Sequence, residues 1–500
     1  MSLITVSSGN KTLVIQYNPE DKNTLADILY ENGFKINTFC GGAGYCGKCI
    51  VSVDGSPQKA CVYTPCCDIT VNIPTSSISQ THHPAERIAN IESGIKYTCT
   101  NMKSDSNAIA IDIGSTSIST ALIGIHDDTY GIIKIATIFN PTIHYGSDII
   151  SRAQASVNGK REVLSATLRN TIESEVKKII HTNHVAMNSI KNIYISCNTT
   201  MQHLLLGLDC TGILSYPFTP SQFEHNRIYD GVHICIIPSF STFIGGDIVA
   251  GLYYLSKPRY RRYILLDLGT NAEIVLVNGN RMFCTSAAAG PAFEGAGITC
   301  GCAYIKGAVK NVTIKRRQNK SSFSISYKTI ENKLPVGICG SGIIDIYSQF
   351  IANSIIDEHK TLNEQYIDSG FEIAKTANGP ILITQQDIRH VQLAVAAIKT
   401  GIDILLLRSG LTSTDIERVY VAGSFGASLS LETLKKINLM PKDFINRQTI
   451  EFPGNTSLSG AIKASVNKCS FESLSRIISS CTEIELANEP EFNSLFIGNM

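Results

Sequence analysis

The sequence predicts a multi-domain protein: a small α+β unit with clustered cysteines, then a large, duplicated α/β unit with a cleft between its halves. Three observations carry this expectation. The chain has 500 residues, room for roughly three domains at about 150 residues each. Six of its 16 cysteines fall between Cys40 and Cys67. A strand–Asp–Gly–strand pattern at Asp112 recurs at Asp267, 155 residues later.

Bulk composition works by exclusion. Lys+Arg total 43 against 42 Asp+Glu, a net charge of +1, so no field attracts nucleic acid or an anionic membrane surface. Charged residues make up 17%, which argues against long disordered tails. The opening MSLITVSSGN has no basic segment followed by an apolar one, so no secretory signal is expected. No continuous apolar run of about 18 residues is present, so no membrane span is expected. The expectation is a soluble, cytoplasmic protein whose cysteines serve as thiols or metal ligands rather than disulfides.

Residues 1–76 form the first predicted domain. SLITVS (2–7) and KTLVIQY (11–17) alternate apolar and polar around Ser8-Gly9-Asn10, a β-hairpin pattern. Asn23-Thr24-Leu25 opens a short capped helix that ends at Asn32-Gly33. The loop that follows holds Cys40, Cys46 and Cys49 in a C-x5-C-x2-C spacing among four glycines. Several thiolates must converge on one small inorganic core to hold an iron–sulfur cluster, and glycines allow the tight wrapping this requires. The spacing is one residue longer than the plant-type [2Fe–2S] loop. Zinc ribbons usually carry two paired C-x2-C knuckles, and this segment has one close pair, Cys46 and Cys49. The cluster is therefore the expected occupant. Cys61, Cys66 and Cys67 compete as fourth ligand; the strand pattern of residues 68–74 after Lys59-Ala60-Cys61 favours Cys61.

Residues 77–107 read as a polar linker with one short helix around 85–91, and His82 and His83 as a solvated pair in it. The large unit, 108–500, divides at about 262/263 into halves that each begin with the same hairpin. In the first, a strand ends in Asp112 and turns through Gly114, Ser115 and Thr116. In the second, a strand ends in Asp267 and turns through Gly269, Thr270 and Asn271. Each turn offers N–H groups and hydroxyls to phosphate oxygens, and each strand-end Asp can hold Mg²⁺ through water. Gly245-Gly246-Asp247 opens an apolar stretch; Asp247 either orients water at the cleft or caps a helix. Gly340, Ser341 and Gly342 suit either a nucleotide contact or a closely packed strand-to-helix turn. Gly423, Ser424 and Gly426 end a strand with small residues suited to packing a flat base or ribose. Thr384-x-x-Asp387 opens a helix with a core-facing apolar stripe. His144 and His203 read as ordinary satisfied histidines, and Cys300 and Cys302 as buried thiols.

These residues resemble known families. The hairpins at Asp112 and Asp267, with Gly423-Ser424-Phe425-Gly426, look like the actin, heat-shock chaperone and sugar-kinase ATPase superfamily. Ferredoxin first and ATPase second resembles the reductive activators of corrinoid proteins. Asn140-Pro141-Thr142, Asn198-Thr199-Thr200-Met201, Pro335–Gly342, and Glu485-Leu486-Ala487 with Pro490 and Phe492 are similar to that family. The resemblance implies a β-grasp ferredoxin followed by a duplicated actin-like ATPase fold. It implies a 2Fe–2S cluster on Cys40, Cys46, Cys49 and Cys61, together with ATP and Mg²⁺. Asp112, Asp267 and Asp247 would be the catalytic carboxylates, and the glycine-rich turns would hold the nucleotide. The implied activity is ATP-dependent transfer of an electron to a Co(II) corrinoid protein of a methyltransferase system. The implied electron source is a reduced ferredoxin or flavodoxin-like donor, and a homodimer is compatible with the pattern. The chain departs from the family in a compressed Cys49–Cys61 span, in Cys197 where Gly is expected and in Val395 where Lys is expected. The competing readings are an ATP-driven donor to a low-potential dehydratase, a non-hydrolysing ferredoxin scaffold and a sugar kinase.

Overall fold

The computed structural model describes residues 2–500 except 9–10, 22, 35, 37–48, 75–104, 127–128, 147, 230, 257–259, 270, 296, 303–304, 318–321, 377–378, 427–428 and 468–469. Cys40, Cys46, Thr270, most of the expected linker with its helix, and the His82–His83 pair lie outside the described residues, as do the side chains of Ser424 and Phe425.

The N-terminal unit is a five-stranded sheet with one helix across it. Strands β1 (Ser2–Ser8), β2 (Lys11–Tyr17), β3 (Ile50–Val53), β4 (Ser56–Lys59) and β5 (Ile69–Asn72) lie in the order β2-β1-β5-β3-β4. Alternation along β1 and β5 turns Ile4, Val6, Ile69 and Val71 inward against Leu25, Ile28 and Leu29 of the Leu25–Glu31 helix. Thr24 and Asp27 close a capping box at the start of that helix, the local chemistry that fixes its first turn. The β3–β4 hairpin turns through Asp54 and Gly55, both at positive φ, as a two-residue primed turn requires.

The large unit repeats one design. β6 (Ser106–Ile113), β7 (Ser117–His126), β8 (Thr129–Phe139), β9 (Ile190–Cys197), β10 (Asn226–Tyr229) and β11 (Val232–Ile236) form a sheet in the order β10-β11-β9-β6-β7-β8. Its first strand starts two residues ahead of the expected boundary at 108, because Ser106 pairs with Ile125. The second half begins with β12 (Arg262–Leu268), β13 (Ala272–Asn278) and β14 (Arg281–Ala287). Two small sheets follow, one of β15 (Ala308–Arg316), β16 (Phe323–Thr329) and β17 (Gly337–Ile338), the other of β18 (Phe371–Thr376) and β19 (Gly379–Ile383). The chain then returns with β20 (Arg418–Ala422), β21 (Ile450–Gly454) and β22 (Cys481–Glu483), giving the order β21-β20-β12-β13-β14-β22. In each half an antiparallel meander is extended by parallel strands from the first meander strand: β9 beside β6, and β20 beside β12.

The Gln385–Ser409 helix, opened by the Thr384–Asp387 capping box, buries Ile388, Val391, Val395, Ile398, Ile402 and Leu405 in the second half's core. It is long and apolar enough to cross a membrane, but most of it is buried inside the protein, which marks a core helix. Val395 belongs to that core, so the missing lysine leaves no gap in the packing there.

The two halves meet at a helix pair. Gly246–Leu255, from the first half, packs against Thr456–Val466, from the second, and the latter also lies on β6 and β9. The crossing is close because two glycines occupy it. A Cβ on Gly460 would strike the Ala250 backbone, and one on Gly251 would sit 2.9 Å from Thr456 Oγ1. We expect Gly460→Ala to force the helices apart and to destabilise the protein by about 1–3 kcal/mol, the usual cost of overpacking. Urea titration checks this; an unchanged midpoint would mean the crossing tolerates a methyl group.

Candidate functional site

Four carboxylates converge where the halves face each other. Asp112 and Asp267 are the penultimate residues of β6 and β12, equivalent positions of the repeat. Asp247 lies in the first turn of the Gly246–Leu255 helix, and Glu273 stands directly across from Asp267 in the β12–β13 hairpin. All four keep a partial opening to solvent. Both oxygens of Asp112 are occupied from the other half: Asn455 Nδ2 donates to Oδ2 at 2.8 Å and the Ser457 hydroxyl donates to Oδ1 at 2.7 Å.

Their electrostatics report the convergence. Burial raises the Asp112 carboxyl, while the Ser457 and Asn455 hydrogen bonds oppose the shift. Asp247 is pushed up to about 7, first by burial and then by the Asp112 charge. Asp267 is also pushed up to about 7, by burial and then by Asp247 and Asp112. Glu273 is driven well above its ordinary value by burial, with Asp247 and Asp267 adding to it and the Ser286 hydrogen bond opposing. Among the described residues, none of the four has an ion-pair partner. Like charges directly opposite in a hairpin destabilise it. Among the described residues no three of these side chains stand close enough to ligate one metal ion directly, so a cation between them would be held through its waters, as Mg²⁺ commonly is.

The expected phosphate turns flank this group. Gly114 N donates to Ser117 O at 2.9 Å, and Gly269 N donates to Asn271 O at 2.9 Å, closing corresponding hairpin loops of which the second is one residue shorter. Gly423 has φ +88°, and a Cβ there would lie 2.5 Å from Asp267 Oδ1, so this position admits little but glycine. Gly426 packs on Val421. Asp247 does not cap its helix: Gly245 holds the cap position, and the carboxylate accepts from Ile248 N at 2.9 Å. Gly340, Ser341 and Gly342 begin the Gly340–Ala352 helix, and their contacts run to β15. A Cβ on Gly342 would strike Val309 O, and the Ser341 hydroxyl donates to Lys310 O at 3.3 Å. These contacts belong to the packing reading of that turn.

The thiols form a second centre. Pairing across the β3–β4 hairpin brings Cys49 and Cys61 together, with Ala60 N donating to Cys49 O at 3.1 Å and the two sulfurs 3.2 Å apart. Neither forms a disulfide, and both are buried. The Cys61 hydrogen bond lowers the Cys49 thiol, which favours the thiolate that binds metal. Two buried sulfurs at this separation suit neighbouring ligands on one iron. The compressed span is a tight hairpin. Cys66 and Cys67 are exposed. Cys300 and Cys302 are only partly buried, a correction to the buried thiols expected, because they lie on the irregular segment before β15. His203 is satisfied by Thr199 O at 2.8 Å and Ser221 N at 2.9 Å.

Sequence reasoning missed Glu273, Asn455 and Ser457. A hairpin centred on residue 270 sets 273 opposite 267, so Glu273 was recoverable from turn geometry. Asn455 and Ser457 carry no local signal.

The carboxylate shifts carry a pH consequence. Their folded-state values lie above the unfolded ones, so the folded chain holds more protons between about pH 4 and 7 and loses stability as pH rises through that window. In EDTA at pH 8, Asp247→Asn should therefore raise the thermal midpoint by about 2–4 °C, roughly 1 kcal/mol, with little change at pH 4. Equal midpoints at pH 8 would contradict the repulsion described.

Comparison with known proteins agrees with this architecture. Residues 10–70 match a 2Fe–2S iron–sulfur cluster binding domain, 107–256 the RACo middle region, and 261–500 the C-terminal domain of RACo, the ASKHA domain. The chain is 28% identical to the corrinoid activation enzyme RamQ of Eubacterium limosum, over 96% of each chain. It is 26% identical to a [Co(II) methylated amine-specific corrinoid protein] reductase of Methanosarcina barkeri, over 56% of this chain and 53% of that one. A solved reductive activator for corrinoid, iron–sulfur protein shares the fold, with TM-score 0.65, 24% identity, and 99% and 98% coverage of the two chains. Matched in order by a cluster-binding domain and both RACo regions, the chain belongs to the RACo family of reductive activators of corrinoid proteins.

Proposed function

We propose that this protein is the ATP-dependent reductant of a corrinoid protein. The observation that carries the reading is the presence, in one chain of this family, of a buried cysteine pair suited to iron and a two-sided carboxylate cleft suited to Mg²⁺ and phosphate. When bound, the 2Fe–2S cluster supplies one electron, near −400 mV for the plant type, and the acceptor is Co(II) in the partner, which becomes Co(I). Such a transfer is uphill for many Co(II) corrinoids, so ATP must favour a conformation in which it can occur.

The residues divide this work. Cys40, Cys46, Cys49 and Cys61 would hold the cluster. Asp112, fixed by Asn455 and Ser457, and Asp267, held beside Gly423, would hold Mg²⁺ through its waters. Asp247 orients the attacking water, and Glu273 adds negative charge that the cation must offset. Ser115 and Thr116 on one side, and Thr270 and Asn271 on the other, donate to phosphate oxygens. Gly423, Ser424 and Gly426 flank the nucleoside; Gly340, Ser341 and Gly342 are assigned there more weakly than to packing. A reduced ferredoxin or flavodoxin-like donor recharges the cluster, and a homodimer and a cytoplasmic location belong to the same reading.

The test is anaerobic reduction of a Co(II) corrinoid protein from a methyltransferase system, followed by Co(I) absorbance with and without Mg-ATP. Co(I) should form only with Mg-ATP, and Asp267→Ala should slow it by about 10–100-fold or more. Failure with several corrinoid partners, with an intact cluster spectrum, would redirect the assignment to another electron acceptor.

A further inference from the structure

The ferredoxin module is seated on the ATPase through a buried polar contact that nothing above uses. Tyr30, on the Leu25–Glu31 helix, stacks on the His144 imidazole with ring centres 3.9 Å apart and planes 16° from parallel. Asp27 of the same helix accepts from Lys160 Nζ at 3.1 Å, and its other oxygen lies 3.7 Å from His144 Nε2. Tyr145 closes the edge of the imidazole at 5.1 Å. The His144 side chain is 5% exposed and that of Asp27 16%. Burial alone would raise the Asp27 carboxyl, yet the His144 hydrogen bond and the Lys160 charge hold it well below the usual carboxylate range. The Asp27–Lys160 pair is only partly buried, with the lysine side chain 37% exposed, so it adds little stability by itself and acts with the buried His144 ring to define one docking geometry.

Both sides of the contact lead to a site. On the ferredoxin side, Ala26 N donates to Ala60 O at 2.9 Å and Leu25 N to Tyr63 O at 2.7 Å, so the docking helix is bonded to the segment carrying Cys61. On the ATPase side, His144 lies in the Pro141–Tyr145 turn, capped by Asn140, whose side-chain oxygen accepts from Thr142 N at 3.0 Å. The same Asn140 donates its side-chain amide to Gly114 O at 2.8 Å and its backbone N–H to Thr116 O at 3.0 Å. Asn140 is 1% exposed. It therefore pins two carbonyls of the first phosphate turn toward the interior and away from an incoming anion.

We propose that His144 is a positioning residue that links ferredoxin docking to nucleotide binding, because one turn, 140–145, carries the docking contact and also shapes the Gly114–Thr116 phosphate turn. Docking supports the anion-accepting form of that turn, so nucleotide and docked ferredoxin stabilise each other. Such linkage is reciprocal and typically amounts to 5–150-fold. The proposal rests on the assignment of the Gly114–Thr116 turn to phosphate.

The experiment measures Mg-ATPγS affinity of the full chain by calorimetry for the unaltered protein, Tyr30→Ala, Tyr30→Phe and Lys160→Glu. An unchanged visible cluster spectrum in each variant shows that the ferredoxin module is intact. Tyr30→Ala and Lys160→Glu should weaken binding at least about 5-fold, whereas Tyr30→Phe, which keeps the stacked ring, should match the unaltered protein. In the reverse direction, Mg-ATPγS should increase the yield of a carbodiimide cross-link between Asp27 and Lys160, read by mass spectrometry. Equal affinity in all four proteins, or a cross-link yield indifferent to nucleotide, overturns the linkage and leaves the nucleotide site standing. No binding to the unaltered chain overturns the phosphate assignment itself, and the linkage with it.

Discussion

Mutual repulsion among Asp112, Asp247, Asp267 and Glu273 is the constraint on which the architecture of the large unit depends. Four acidic side chains gathered without a countercharge among the described residues oppose folding, and the lobes bring them together nonetheless. The apolar sheets and helices must therefore hold the cleft against a local force that protonation or a bound cation relieves. Two carboxylates near neutral pKa are the signature of that arrangement, and perturbed groups of this kind concentrate at functional sites.

The helix crossing is how the fold meets the constraint. Gly251 and Gly460 let the two central helices approach closely, and that approach carries Asn455 and Ser457 across to Asp112. The first half's carboxylate is thus oriented by the second half's helix. A change in the angle between the halves would be felt directly in the geometry of the Asp112 carboxylate. Carboxylates, helix contact and lobe arrangement are thereby linked, and the ferredoxin contacts the 141–145 turn, which Asn140 bonds to the Gly114–Thr116 turn.

Much of this was legible in the sequence because the informative features are local. The Asp112 and Asp267 hairpins and the Thr24 and Thr384 helix starts each lie within a few residues, where turn chemistry and alternation decide conformation. Asp247 was ambiguous because a helix cap and a cleft carboxylate share the same local pattern; the structure separates them by placing Gly245 at the cap and Asp112 nearby. Asn455, Ser457 and the His144–Tyr30 contact were illegible for the opposite reason. Each joins segments more than a hundred residues apart, and a polar residue at a helix start or in a short turn carries no mark of its distant partner. His144 did prove to be a satisfied histidine, but its partners belong to another domain.

The most direct test of the account is calorimetric titration of ATP into the full chain in excess Mg²⁺ and in excess EDTA. If the four carboxylates require a cation before they admit a polyphosphate, removing Mg²⁺ should weaken binding at least about tenfold, or 1.4 kcal/mol. Equal affinity in EDTA would contradict the account, because the nucleotide would then enter an acidic cleft without the charge that makes it hospitable.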